Sequence, residues 1–380
     1  MKIGIDGRLL RKRRGIGNYV HHLLSAFAHS SCRHEFVVYG DHPAIAELIP
    51  DDSRFTYRQL GVRGYAAWEQ LSLPRAAAGD ALDILHCPAN TGPLWLSRKV
   101  SLVLSVMDVM YLLPAGAVPF DTSLYQRLGR AYRQLVVPRT ASNAKRIVTI
   151  SKASATDIRR LLRVPDDRIV VTYLAPGSEF SARTASTCTS AAAEPTEEAV
   201  FVALGALDPR KNTVRVINAF AQLRRRLRRR CRLVIAGLNE GGMERFGQLV
   251  SMLGLESEVE LMSFVPDSEL VALYRKAIAL VYPSLYEGFG LPIVEAMSCG
   301  AAVVTSKCGS IPEVAGDAAV FVDPLSETDI ASGMLRLCND EVFRRRLVES
   351  GKKNAARFTW DSTARATLDV YEAARHLRQL

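Results

Sequence analysis

Short apolar runs recur along the chain, each followed by polar or glycine-rich residues and then by a stretch with helical spacing. Ile3-Gly4-Ile5, Phe36–Tyr39, Ile84–His86, Val103–Met107, Ile147–Ile150 and Val170–Leu174 make one series. Ala199–Leu204, Leu233–Ala236, Val259–Phe264, Ala277–Tyr282, Val303–Thr305 and Ala319–Phe321 make a second. Runs this short and this apolar read as strands buried on both faces, as in a parallel sheet. Between them Tyr19, Val20, Leu23, Leu24 and Phe27 recur with helical period, as do Val214, Ile217 and Phe220. Further helices are predicted over Leu124–Val137 and up to Leu162. Strand–helix alternation predicts doubly wound α/β domains. It is interrupted once, over 178–198, where small residues without periodicity predict a linker. The expected division is 1–177, a linker 178–198, a second domain 199–360, and a final helix 361–380.

A length of 380 residues with 48% hydrophobic content can bury two sizeable cores. No apolar run reaches the ~18 residues of a membrane-spanning helix. Lys2–Asp6 reads directly as a strand, so no leader segment is expected. Seven cysteines are scattered without a CxxC pair, which fits free thiols in a reducing cytoplasm and gives no metal site. The formal charge of +10 is uneven. Residues 1–180 carry 24 Lys and Arg against 15 Asp and Glu, and the remainder 25 against 24. Such an excess suits an anionic partner for the first half: nucleic acid, an anionic membrane surface or a diphosphate-linked lipid. The competing explanation is arginine-rich composition with no target.

Candidate chemistry concentrates in Tyr282–Cys299, YPSLYEGFGLPIVEAMSC. A buried strand ends at Pro283-Ser284, a loop Glu287-Gly288-Phe289-Gly290 follows, and Pro292 suits a first helical turn. Free N–H groups and the positive end of the helix dipole there make a phosphate site. Glu287 and Glu295 bracket it with seven residues between them. Carboxylates beside a phosphate suit sugar hydroxyls, since one carboxylate accepts two protons in charge-assisted bonds. An ordinary helix residue and a dipole-complementing loop residue are the plainer alternative. Arg210 and Lys211, in Asp208-Pro209-Arg210-Lys211-Asn212, stand at an expected helix start, where paired cations oppose the dipole unless an anion binds. Gly15 and Gly17 follow Arg11–Arg14 and open a helix. They would let backbone N–H groups approach an anion, or simply make a tight turn. His86 and Asp108 close strands where open sheets bind ligands, although a buried structural His and a turn-capping Asp explain them equally. RRRLRRR at 224–230 suits a helix end, and no aromatic interleaves to suggest nucleic acid.

EGFGLPIVE resembles the E-x7-E motif of the retaining glycosyltransferases of family GT4. MKIGIDGRLL, GIGNYV, LGALDPRKN and SFVPDSELVALYRKA extend the likeness over nearly the whole chain. The subgroup it resembles contains bacterial mannosyltransferases of O-antigen synthesis. The resemblance implies a GT-B fold, two doubly wound Rossmann-like domains facing a cleft, with the C-terminal helix crossing back to the first. It implies a nucleotide-sugar donor, GDP-mannose favoured and a UDP-sugar possible, and a glycan or lipid-diphosphate-linked acceptor. Glu287 would hold the donor sugar and Glu295 the ribose, with Arg210 and Lys211 on the diphosphate and Asp108 orienting the acceptor hydroxyl. Gly15, Gly17, Gly237, Val265, Gly288, Phe289, Gly290 and Leu291 would line the donor. No DxD triplet occurs, so no metal and no separate cofactor are expected. Many relatives have His where this chain has Met107, which weakens a His-centred acceptor role. A cytoplasmic enzyme touching an anionic membrane, with no nucleic acid, is the expectation. The nicotinamide-binding alternative requires a third glycine where Val20 stands.

Overall fold

In the computed structural model, residues 1–12, 15–61, 64–113, 124–180 and 198–379 are described. Arg13 and Arg14, and most of the expected linker, lie outside them. The chain divides into two compact units. One comprises Met1–Leu113, Thr122–Leu174 and Thr359–Leu380, and the other contains Ala175–Phe358.

The first unit is built on a seven-stranded sheet. Its strands are β1 (Lys2–Asp6), β2 (Glu35–Gly40), β3 (Phe55–Gln59), β4 (Ile84–Cys87), β5 (Ser101–Ser105), β6 (Arg146–Thr149) and β7 (Ile169–Val171). They run in the order β3-β2-β1-β4-β5-β6-β7, and every pairing is parallel. The second unit holds β8 (Glu198–Leu204), β9 (Arg230–Ala236), β10 (Val259–Leu261), β11 (Ala279–Tyr282), β12 (Ala302–Thr305) and β13 (Val320–Phe321). Their order is β10-β9-β8-β11-β12-β13, again all parallel. Both sheets are doubly wound, as the apolar pattern implied. Trp68, Leu85, Leu104, Val137 and Ile147 belong to the core of the first unit, and Phe201, Phe220, Val281 and Ile330 to that of the second.

Several boundaries differ from the sequence reading. Strand β3 has no counterpart in it: FTYRQ is a sheet-edge strand with only Phe55 buried, so its pattern is polar. Strand β10 stops at Leu261 rather than Phe264, and β7 at Val171 rather than Leu174, where ladder pairing ends. The helix expected to end at Val137 continues to Asn143 with Pro138 inside it. Proline removes one N–H from the helical ladder there, the one that would reach the Gln134 carbonyl, and Thr140 Oγ1 separately donates to the carbonyls of Val136 and Val137. Six cysteines carry free thiols among the described residues.

The terminal helix Trp360–Gln379 packs within the first unit, against Ile16–His29. Trp360 stacks on His22 with ring centroids 4.9 Å apart. Thr363 Oγ1 donates to the Tyr173 carbonyl at 2.5 Å. The Tyr371 hydroxyl lies 2.7 Å from His86 Nδ1, and His86 Nε2 lies 2.7 Å from Ser105 Oγ. His86 is therefore wholly buried and bonded within the fold. Burial depresses its imidazole to about 3 and keeps it neutral.

Candidate active site

In the second sheet, strand order reverses between β8 and β11, which are neighbours. Open α/β sheets bind ligands beyond the carboxyl ends of strands at such a point. Two loops meet there, one after Leu204 and one after Tyr282. Leu285 N–H donates to the Arg210 carbonyl at 2.8 Å and joins them. Asn212 is buried with a left-handed backbone, and its Nδ2 donates to the carbonyls of Pro283 (3.0 Å) and Pro324 (2.6 Å).

Arg210 and Lys211 do not begin an α-helix. They end a short 3₁₀ turn, Pro209–Lys211, and the helix starts at Thr213 after Asn212 turns the chain. The expected dipole repulsion is therefore displaced, and each cation faces a carboxylate of the protein. Arg210 Nε donates to both Asp208 oxygens at 3.0 Å. Lys211 Nζ donates to Glu287 Oε1 at 2.8 Å and also contacts the Tyr282 hydroxyl. Burial works against the Lys211 charge, but Tyr282 and Glu287 outweigh it and raise the ammonium above its usual range.

Glu287 Oε1 also accepts from Tyr282 (2.6 Å) and Ser284 (2.8 Å). The Glu287 carbonyl accepts from Ser310 Oγ at 3.0 Å. Gly309 is required beneath this loop. Its φ is +58°, and a Cβ there would stand 2.6 Å from the Glu287 carbonyl oxygen. The helix Leu291–Cys299 then opens after Gly290, with Pro292 in its first turn and no side chain capping its N–H groups. Leu291 and Glu295 are partly buried on this helix. Burial first, and the Asp267 charge second, push the Glu295 carboxyl up to about 8. Phe289 is buried edge-on against Phe358, 5.5 Å between centroids, so its ring belongs to the packing. Gly237 follows β9 with φ +91°, and Val265 is buried just beyond β10. Gly288 lies in the same loop as Glu287.

The remaining expected residues belong to the first unit. Gly15 precedes the helix Ile16–His29, and Gly17 sits in its first turn. A Cβ on Gly17 would stand 1.9 Å from the Lys12 carbonyl oxygen, so close backbone approach alone requires glycine. Asp108 Oδ1 accepts from Met110 N–H at 3.1 Å and caps the following turn. Met107 N–H donates to Asn90 Oδ1 at 2.7 Å. A polar cluster missed in the sequence lies near the β1/β4 reversal of this sheet. Glu69, 1% exposed, accepts from Thr91, from Tyr132 (2.6 Å) and from Gln70 (3.0 Å). Burial raises the Asp6 carboxyl to about 6, and Trp68 Nε1 donates to it at 3.2 Å. Also missed were Tyr282, Ser284 and Ser310. The one signal for Tyr282 was a polar-tipped residue closing an otherwise apolar strand.

Two doubly wound parallel sheets make up a GT-B fold. Residues 13–175 match Glycosyltransferase Family 4, and residues 189–354 match Glycosyl transferases group 1. The chain belongs to the family 4 glycosyltransferases. It is 34% identical to O-antigen chain mannosyltransferase B of Escherichia coli over 243 residues, 63% of this chain and 64% of that protein. It is 34% identical to the serotype-specific mannosyltransferase WbdA of Escherichia coli over 354 residues, 86% of this chain and 42% of that one. The chain thus spans less than two thirds of the length of these two curated relatives. Anabaena Alr3699/HepE, solved with UDP and glucose, shares the fold at a TM-score of 0.69 over 100% of both chains, with 18% identity.

Proposed function

We propose that this chain transfers mannose from GDP-mannose to a glycan or lipid-diphosphate-linked acceptor in bacterial surface polysaccharide synthesis. In this reading it retains anomeric configuration and uses no metal. The observation that carries the reading is the Lys211–Glu287 pair beside an uncapped helix N-terminus at the sheet reversal. The two mannosyltransferase relatives support the choice of sugar.

The donor diphosphate draws Lys211 from Glu287 and Arg210 from Asp208, and the N–H groups after Gly290 complete its neutralisation. Glu287 then faces the sugar and stabilises positive charge developing at its ring. Glu295 accepts the ribose hydroxyls. Asp108 orients the acceptor hydroxyl, which attacks from the leaving-group face. The basic first unit rests on the anionic membrane that carries the acceptor.

The test is sugar transfer from GDP-mannose to a lipid-linked acceptor with EDTA present, followed by anomeric analysis. Retention with EDTA-insensitive transfer is expected. Glu295→Ala should mainly raise KM, because ribose is held in ground and transition states alike. Glu287→Ala should mainly lower kcat, because its contact strengthens as charge develops. An inverted anomer or EDTA-abolished reaction rejects the mechanism. Transfer from a UDP-sugar alone rejects the donor.

A further inference from the structure

Glu287 is held on one side only. Its Oε1 accepts three hydrogen bonds, from Lys211 (2.8 Å), Tyr282 (2.6 Å) and Ser284 (2.8 Å). Its Oε2 accepts none among the described residues. The two hydroxyl donors are themselves fixed. Tyr282 closes β11 with its ring 1% exposed, and its carbonyl accepts from Thr305 Oγ1 at 2.8 Å. Ser284 is fully buried, and its carbonyl accepts from Ser306 Oγ at 2.6 Å. Lys211, by contrast, ends a flexible four-carbon stem and is the donor an arriving diphosphate would take.

We propose that Tyr282 and Ser284 are positioning residues for sugar transfer: they grip Glu287 Oε1, leave Oε2 as the oxygen presented to the sugar, and keep it there when the diphosphate draws Lys211 away. This rests on the transferase reading above. Burial, and then the Glu287 charge, raise the Tyr282 phenol, which stays a neutral donor throughout the working pH range. A carboxylate fixed through one oxygen is pre-organised for charge that develops on the sugar, and no reorganisation is needed during reaction. Without the two hydroxyls, Glu287 would lose its remaining anchors at the moment Lys211 turns to phosphate.

The test compares kcat and donor KM for GDP-mannose among wild type, Tyr282→Phe, Ser284→Ala, Glu287→Gln and the Tyr282→Phe/Glu287→Gln double variant. Phenylalanine keeps the buried ring, and Ser284→Ala provides a second variant should the first unfold. Each hydroxyl deletion is expected to lower kcat about tenfold or more, the scale of one charge-assisted hydrogen bond, with donor KM little changed. Tyr282→Phe should add little once Glu287 is glutamine, since a positioning residue acts through its partner. The inference is overturned if both hydroxyl variants keep wild-type kcat, or if the full Tyr282→Phe loss persists on top of Glu287→Gln. A wild-type protein that transfers no sugar overturns the transferase reading and this inference with it. An active wild type with insensitive hydroxyl variants overturns the inference alone.

Discussion

Glu295, in its proposed role on the ribose, would couple protonation to ligand binding. Its carboxyl stands at about 8 in the folded protein against an ordinary 4.5, because burial and Asp267 both disfavour the charge. Between those values the folded state binds more protons than the unfolded state. The stabilising contribution of the protonated form is therefore full at low pH and lost as pH rises toward 8. In the proposed function a ribose diol donates to this group and requires the carboxylate, so nucleotide binding would release a proton below pH 8. GDP affinity, measured calorimetrically, should then rise by up to about tenfold per pH unit between roughly pH 6 and 8. Glu295→Gln should flatten the profile. A wild-type affinity that falls over that range removes the ribose contact.

Among the elements, the terminal helix Trp360–Gln379 has the most legible anchor. Tyr371 bonds His86 in a wholly buried position, and His86 in turn bonds Ser105 at the end of β5. Tyr371→Phe preserves the ring contacts but strands His86 Nδ1 without a partner. A buried polar atom left so costs about 1–3 kcal/mol. Denaturant unfolding should show a loss of that size, and an unchanged midpoint would mean that the bond contributes nothing to docking the helix.

At the scale of the whole molecule, the first unit carries the excess positive charge and several exposed apolar side chains. Trp95 is 76% exposed, Leu128 64% and Leu135 57%. Trp95 and Leu135 line a shallow cavity of about 530 Å³ with Leu94, Arg139, Ser142 and Asn143, while Arg98, Lys99, Arg127 and Lys145 are also exposed. No described helix is long and apolar enough to cross a membrane, and the contact proposed above is a surface one. The chain should co-sediment with anionic vesicles more than with neutral ones, and less as salt rises, since exposed charges are screened within about 10 Å at 0.1 M. Trp95→Ala should weaken the association. Equal sedimentation with both vesicle types at all salt concentrations would sink the membrane contact.

The sequence by itself determined the alternation of buried strands and amphipathic helices, because strands covered on both faces must be apolar throughout and helices on a sheet must be apolar on one side. It also located the loop Glu287–Gly290 and its helix, since glycine and proline mark local backbone demands that need no distant partner. Edge strand β3 escaped because one covered face leaves a mixed pattern, and the helix past Pro138 continued because burial of Val137 and Ala141 in the core outweighed one missing N–H. What only the tertiary structure decided was pairing across long separations. Lys211 meets Glu287 and Tyr282 because parallel strand order brings strand ends together regardless of their distance along the chain, and His86 meets Tyr371 because the terminal helix packs on the first sheet. The cations at 210 and 211 could be read as awaiting an anion. Asp208 holds Arg210 from two residues away, a local pairing, but that Glu287 holds Lys211 in the free protein follows from where the loops close, which no local pattern of residues encodes.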